Sequence, residues 1–161
     1  HWIDEHKYCT IIGTVLSSAQ VSNKTFLDIG CAHGEIACAL DNLGLLGLNK
    51  NQYIGWEIQP DQIANQVAIC KSCTFNFSDY AQDLSTYTDP DTIIVSNPPY
   101  SELDKIMAHI TKHKLKYILM TNVKYASLFV GAKLIGLMGP DDFTPPTSSA
   151  SSHMIFTNKN S

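Results

Sequence analysis

Apolar residues recur at two different spacings along this chain, and their alternation predicts a layered α/β fold. Residues 7–20 carry Ile11, Ile12, Val15, Leu16 and Ala19 at helical spacing. Residues 25–30 (Thr-Phe-Leu-Asp-Ile-Gly) form a short apolar run ending in Gly, the pattern of a buried strand. Residues 34–46 return to helical spacing, with Ile36, Ala37, Leu40 and Leu43 on one side. A second strand is predicted over 53–58, a helix opened by Pro60 over 60–69, and a third strand over 74–78. Residues 91–96 (Asp-Thr-Ile-Ile-Val-Ser) are β-branched and apolar on both faces, which suits a central parallel strand. Ser101 with Asp104 predicts a capped start to a helix over 102–113, and a fifth strand follows over 117–121. Residues 124–137 are expected to be helical despite Gly131 and Gly136. Residues 139–152, rich in Pro, Ser and Thr, are expected to form a long loop, and 153–157 a final strand. Strands alternating with helices imply a mostly parallel sheet with helices on both faces. Ligands of such sheets bind beyond the carboxyl ends of the strands.

Composition narrows the class. A chain of 161 residues with 44% hydrophobic content fits one domain, 1–161, with a packed core. No window approaches the roughly 18 apolar residues of a membrane span, and the first residues lack the order of a secretory signal. A soluble, cytoplasmic protein without membrane contact is therefore expected. Net charge is −4, and all eleven basic residues are Lys. The absence of Arg argues against tight autonomous binding of nucleic acid, though not against nucleic acid as a substrate. Five scattered cysteines do not make a disulfide framework. The pair Cys70 and Cys73 has no second pair to complete a structural zinc site, so no metal is expected.

Candidate chemistry falls just after the predicted strands. In Asp28-Ile-Gly30-Cys31-Ala32-His-Gly34, small residues stand at 30, 32 and 34, which allows a tight turn that a ligand approaches closely at a helix N-terminus. His33 is read as an ordinary loop residue. Glu57 closes the second strand, where a carboxylate accepts hydrogen bonds from ribose hydroxyls. Asp79-Tyr80 closes the third, where a carboxylate suits an exocyclic amine and the ring suits stacking. Ser96-Asn97-Pro98-Pro99-Tyr100 ends the most apolar strand. Pro-Pro removes two N–H donors and leaves carbonyl oxygens facing the cleft. The Asn97 side-chain oxygen and a Pro carbonyl together accept from a planar amino group, and Tyr100 stacks on the ring that bears it. Two acceptors draw such a nitrogen towards sp3 and aim its lone pair at an electrophile.

With these residues the chain resembles the class I S-adenosylmethionine-dependent methyltransferases, and among them the amino-methyltransferases of the Asn-Pro-Pro-Tyr type. The likeness runs from about residue 7 to residue 100. It implies a Rossmann-like, seven-stranded, mostly parallel sheet and S-adenosyl-L-methionine as cofactor. It assigns Asp28, Gly30, Cys31, Ala32 and Gly34 to the cofactor loop, with Ala32 where the family prefers Gly. It also assigns Glu57 and Ile58 to the ribose side, Asp79 and Tyr80 to adenine, and Asn97, Pro98, Pro99 and Tyr100 to catalysis. Tyr8 and Thr10 match an upstream element that contacts the methionine end of the cofactor, with Ile11 where Pro is usual.

The tetrapeptide serves adenine N6 in DNA, base amines in RNA, and glutamine amides in proteins. The upstream Tyr-x-Thr tilts the expectation to adenine, with DNA favoured. Glutamine-modifying enzymes of this type carry an added helical domain, for which this chain has no length. No target-recognition domain is expected either, so the chain is expected to be weakly specific, to act on single strands or RNA, or to depend on a partner subunit for recognition. Lys112, Lys114 and Lys116 form a small basic cluster that suits phosphate or plain solvent. An inactive methyltransferase-like partner subunit is the alternative of a different class, and the retained Gly30, Glu57, Asp79 and Asn97 argue against it.

Overall fold

The computed structural model describes residues 2–17, 21–32, 34–47, 49–59, 73–76, 84–144 and 152–158. Strand β1 (Trp2–Ile3) precedes helix α1 (Glu5–Ile12), and β2 (Thr25–Ile29) leads into α2 (Glu35–Asn42). Then come β3 (Gln52–Trp56), β4 (Cys73–Asn76), β5 (Thr92–Ser96), α3 (Leu103–His113) and β6 (Lys116–Asn122). Strands β7 (Lys133–Met138), β8 (Phe143–Thr144) and β9 (His153–Thr157) complete the order. The main sheet has seven strands in the order β4-β3-β2-β5-β6-β9-β7. Strands β2 to β6 pair in parallel, and β9 runs antiparallel to both of its neighbours.

The strand order decides where the site lies. The chain steps outward from β2 to β3 and β4, then returns to place β5 on the other side of β2. The crevice at that reversal is where such sheets take their ligands. It lies between the loop after β2 and the segment after β5, which are the two most chemically suggestive stretches of the sequence.

Each central strand feeds both faces of the sheet. Phe26, Ile93 and Val95 join Tyr8, Ile12, Ile36 and Leu40 on one face. Leu27, Ile94 and Leu119 join Leu103, Ile106 and Ile110 on the other. All five residues of β5 are buried, as its two-sided apolar pattern requires.

Several elements differ from the sequence-based expectation. Helix α1 covers 5–12 rather than 7–20. Asp4 starts it by accepting from the Lys7 N–H at 3.1 Å. Beyond Gly13, the Thr14 hydroxyl donates to the Ile11 carbonyl at 2.7 Å, a local bond that competes with helix continuation. Helix α2 stops at Asn42 rather than 46, because Gly44 enters the left-handed region (φ 71°). The Leu45 N–H then closes on the Leu40 carbonyl at 3.1 Å and the Gly44 N–H on Asp41 at 2.9 Å, a Schellman ending. Ser101 does not cap α3: residues 100–102 form a 3-10 turn, and Glu102 stands at the N-cap without a side-chain bond.

The expected helix over 124–137 is a 3-10 turn (123–129) followed by strand β7. Gly131 (φ 82°) breaks the run, and the edge of β9 offers a backbone ladder that the helix would forgo. Gly136 is required there, since a Cβ would sit 2.6 Å from Ile11 Cγ2. The expected loop over 139–152 begins instead with a 3-10 turn (140–142) and β8, which pairs antiparallel with β1. Asp142 anchors it by accepting from Lys7 Nζ at 2.6 Å and from the Gly139 N–H at 2.7 Å. The helix over 60–69 and the pair Cys70/Cys73, as a side-chain pair, lie outside the described residues. No described helix is long and apolar enough to cross a membrane.

Candidate functional site

The loop after β2 is built from left-handed turns. Gly30 (φ 71°), Ala32 (φ 47°) and Gly34 (φ 85°) alternate, and Gly34 caps α2. Gly30 also packs under the opposing tetrapeptide, since a Cβ there would lie 3.0 Å from Pro99 Cδ. Ala32 bears about 1 kcal/mol of strain that Gly would not. Glu57 holds it: its Oε1 accepts from the Ala32 N–H at 2.9 Å, and its Oε2 accepts from the Gln59 N–H at 3.1 Å. Glu57 is buried and lies at the cleft floor, with lone pairs left for further donors. Cys31 joins the site through its backbone and through a thiol that hydrogen-bonds the Tyr53 hydroxyl. Its N–H donates to Trp56 O at 2.9 Å, and its thiol packs beneath Gly55 in the interior.

Two adjoining cavities meet at Gly30 and Asn97. The larger, about 320 Å³, runs between Glu57, Ile58 and Gln59 on one wall and Asn97–Tyr100 on the other. Ile58 is 58% exposed, an apolar side chain turned to the opening. The smaller, about 80 Å³, lies over Asp28 and Glu35. Pro99 O accepts from the Glu102 N–H at 3.0 Å. Pro98 O has no such partner among the described residues.

Asp28 is a strongly perturbed carboxyl at the floor of the smaller cavity. Burial pushes its carboxyl up to about 7, the Tyr53 and Ser96 hydroxyls oppose that, and the Glu35 and Glu57 charges add to it. Tyr53 donates to Oδ2 at 2.6 Å, while Oδ1 has no hydrogen-bond partner among the described residues. The Tyr8 hydroxyl is likewise buried and unpartnered there. Burial, with the Asp28 charge next, holds that phenol far above its ordinary range. The orphaned Asp28 oxygen lies at the lining of the smaller cavity and calls for a ligand that donates to it, whereas Tyr8 is not among the residues that line it.

Not every predicted residue reaches this place. Thr10 is exposed on α1 and spends its hydroxyl on the His6 carbonyl at 3.0 Å. Residues 8 and 10 lie about 200° apart around a helix, so only Tyr8 can turn inward. The Lys112, Lys114 and Lys116 cluster lies at the amino end of β6, opposite the cleft. Asp79, Tyr80 and His33 lie outside the described residues. Sequence reasoning missed Tyr125 and His153, which both contact Tyr100. The Tyr125 ring stacks on it at 4.7 Å, and His153 Nε2 lies 3.0 Å from its hydroxyl. No local pattern marks either residue, because one arrives on the turn after β6 and the other on the first residue of β9.

No protein-family profile matches the sequence, and no curated protein matches it. Solved structures do. The 23S rRNA methyltransferase ErmE superposes with TM-score 0.71 at 12% identity, covering 98% of this chain and 69% of its own. Fibrillarin of Aeropyrum pernix, with natively bound S-adenosyl-L-methionine, gives 0.61 at 11%, covering 96% and 76%. A putative RNA methyltransferase of Pyrococcus horikoshii gives 0.63 at 10%, covering 95% and 81%. At such identities the likeness establishes the fold, and the fold is that of the class I methyltransferases.

Proposed function

We propose that this chain is an S-adenosylmethionine-dependent N-methyltransferase acting on the exocyclic N6 amine of adenine in nucleic acid. One observation carries the reading: Gly30 and Asn97 join a small acidic cavity to a larger cleft walled by Asn97–Tyr100. The cofactor fits the groups present. Its ammonium suits the free Asp28 oxygen, its carboxylate the α2 N-terminus, and its ribose hydroxyls Glu57 beside Ile58. Bound there, it supplies a methyl group already activated by a sulfonium.

The chain's own residues then need no strong base. The Asn97 side-chain oxygen and the Pro98 carbonyl accept from the target NH2, fixing its direction and raising the lone-pair character of its nitrogen. Positioning and electrostatics carry the rate. Tyr100 lies at the cleft wall to stack on the base, which must be single-stranded or swung out of a duplex.

The Tyr8-x-Thr10 element bears on adenine rather than on the polymer, and Thr10 spends its hydroxyl on the His6 carbonyl; DNA is the favoured polymer and RNA the alternative. An acidic chain without Arg binds polynucleotide weakly, and a partner subunit with a basic surface would complete recognition. Methyl transfer from labelled cofactor to duplex DNA, single-stranded DNA, structured RNA and a protein extract tests the proposal, with digested products read by mass spectrometry. N6-methyladenine in one polymer supports it. Methylglutamine would overturn the substrate. Silence with cofactor bound would refute autonomous activity, and silence without cofactor binding would refute the enzyme.

A further inference from the structure

Tyr100 is held on one face and at its hydroxyl. Its ring stacks on Tyr125 with centroids 4.7 Å apart and planes 28° from parallel. Its hydroxyl lies 3.0 Å from His153 Nε2. The amine of Lys124 sits 5.3 Å from the Tyr125 centroid and 6.0 Å from that of Tyr100, within cation–π range of the pair. His153 is in turn buried, at 5% exposure, with its ring 4.8 Å from that of Phe143. Three separate pieces of chain converge here: the turn after β6, the first residue of β9, and β8. Despite these contacts Tyr100 stays 37% exposed and lines the cleft beside Pro98 and Pro99. Burial, and Tyr125 next, push its phenol up, so it is neutral at physiological pH.

A ring with one face covered and its hydroxyl tied has one face left to offer, and that face cannot swing. We propose that Tyr125 and His153 are positioning residues that hold Tyr100 as a fixed plate, so that the site selects an amine borne on a flat ring over an aliphatic amide. The inference rests on the N-methyltransferase reading above and narrows its substrate. A pre-held plate loses little side-chain freedom when a base stacks on it. Base–aromatic stacking is worth roughly 5- to 150-fold in affinity. A glutamine side chain has no ring with which to collect that gain.

The test uses the full chain with saturating cofactor. KM and kcat are measured on an adenine-containing single-stranded oligonucleotide and on a glutamine-containing peptide, and cofactor Kd is measured by calorimetry. The wild type should methylate the oligonucleotide and leave the peptide alone. Tyr125→Ala should raise the oligonucleotide KM about tenfold or more while cofactor Kd stays within about twofold. Tyr125→Phe, which keeps the stack, should restore most of the loss. His153→Gln, whose amide oxygen accepts from the Tyr100 hydroxyl, should lie closer to wild type than His153→Ala. Unaltered KM and kcat in Tyr125→Ala would overturn the inference alone. So would a loss matched by equal loss of cofactor affinity, or an absence of rescue by Phe and Gln. A wild type that prefers the peptide overturns the selection of a ring-borne amine. A wild type that methylates neither overturns the parent reading as well.

Discussion

Replacing Asp28 by Asn should stabilise the ligand-free protein at alkaline pH and weaken its hold on the cofactor. The carboxyl is 1% exposed, and its pKa stands at about 7, chiefly through burial. In the unfolded chain an Asp titrates near 3.9. Below about pH 4 both states are protonated, and the group imposes no cost on folding. Between about pH 4 and 7 the unfolded chain releases the proton while the native state keeps it. Stability therefore falls as pH rises, by about 1.4 kcal/mol per pH unit. Above about pH 7 the loss is complete, at about 4 kcal/mol. Asn carries no charge at any pH, and its amide oxygen still accepts the Tyr53 hydroxyl that now bonds Oδ2 at 2.6 Å. The melting temperature of Asp28→Asn should exceed that of wild type by roughly 8–16 °C at most at pH 8, and the gap should close towards pH 4. The same change removes the negative charge proposed to face the cofactor ammonium, so Kd should rise about tenfold or more. Scanning calorimetry across pH 4–9, with and without cofactor, reads both effects. A melting difference that is flat with pH would refute the assignment of the titrating group. An unchanged Kd would refute its place in the site.

Three further outcomes follow from the geometry. Asn97→Ala should leave cofactor Kd nearly unchanged and lower kcat about 100-fold or more, by analogy with loss of a positioned hydrogen-bonding group; unchanged turnover in a single-turnover assay would remove its catalytic role. Glu57→Ala strips the acceptor from the Ala32 and Gln59 N–H groups and should cost about 1–3 kcal/mol of stability. Cofactor Kd, read by calorimetry, should weaken with it. Gly30→Ala puts a Cβ 3.0 Å from Pro99 Cδ in a left-handed backbone and should cost about 1–3 kcal/mol. Its signature is a joint loss of cofactor affinity and kcat, and a change in only one of them would mean that loop and tetrapeptide do not touch.

Much of this protein was legible in one dimension because the relevant forces are local. The all-apolar run 92–96 needed burial on both faces, and that alone placed β5 in the middle of the sheet. The positive-φ turns at Gly30 and Gly34 follow from residues that tolerate them, and Asn97–Tyr100 had to follow the strand it ends. The segment 124–137 misled for the opposite reason, and the facing of Thr10 was not legible for the same one. Whether Thr10 faces the cleft depends on the rotation of α1 against the sheet. Whether 133–138 forms a strand depends on β9 being available to pair with it, twenty residues later in the chain.

The sequence by itself therefore determined the layered α/β architecture, the loop after β2 and the tetrapeptide after β5. Spacing and backbone preference are written in neighbouring residues. Only the tertiary structure decided that β5 returns to lie against β2, which brings Gly30 within reach of Pro99. It alone gave Asp28 its raised pKa, because desolvation is the work of the packed surroundings. And it alone drew Tyr125 and His153 onto Tyr100, since their contacts join residues 25 and 53 positions away from it in the chain.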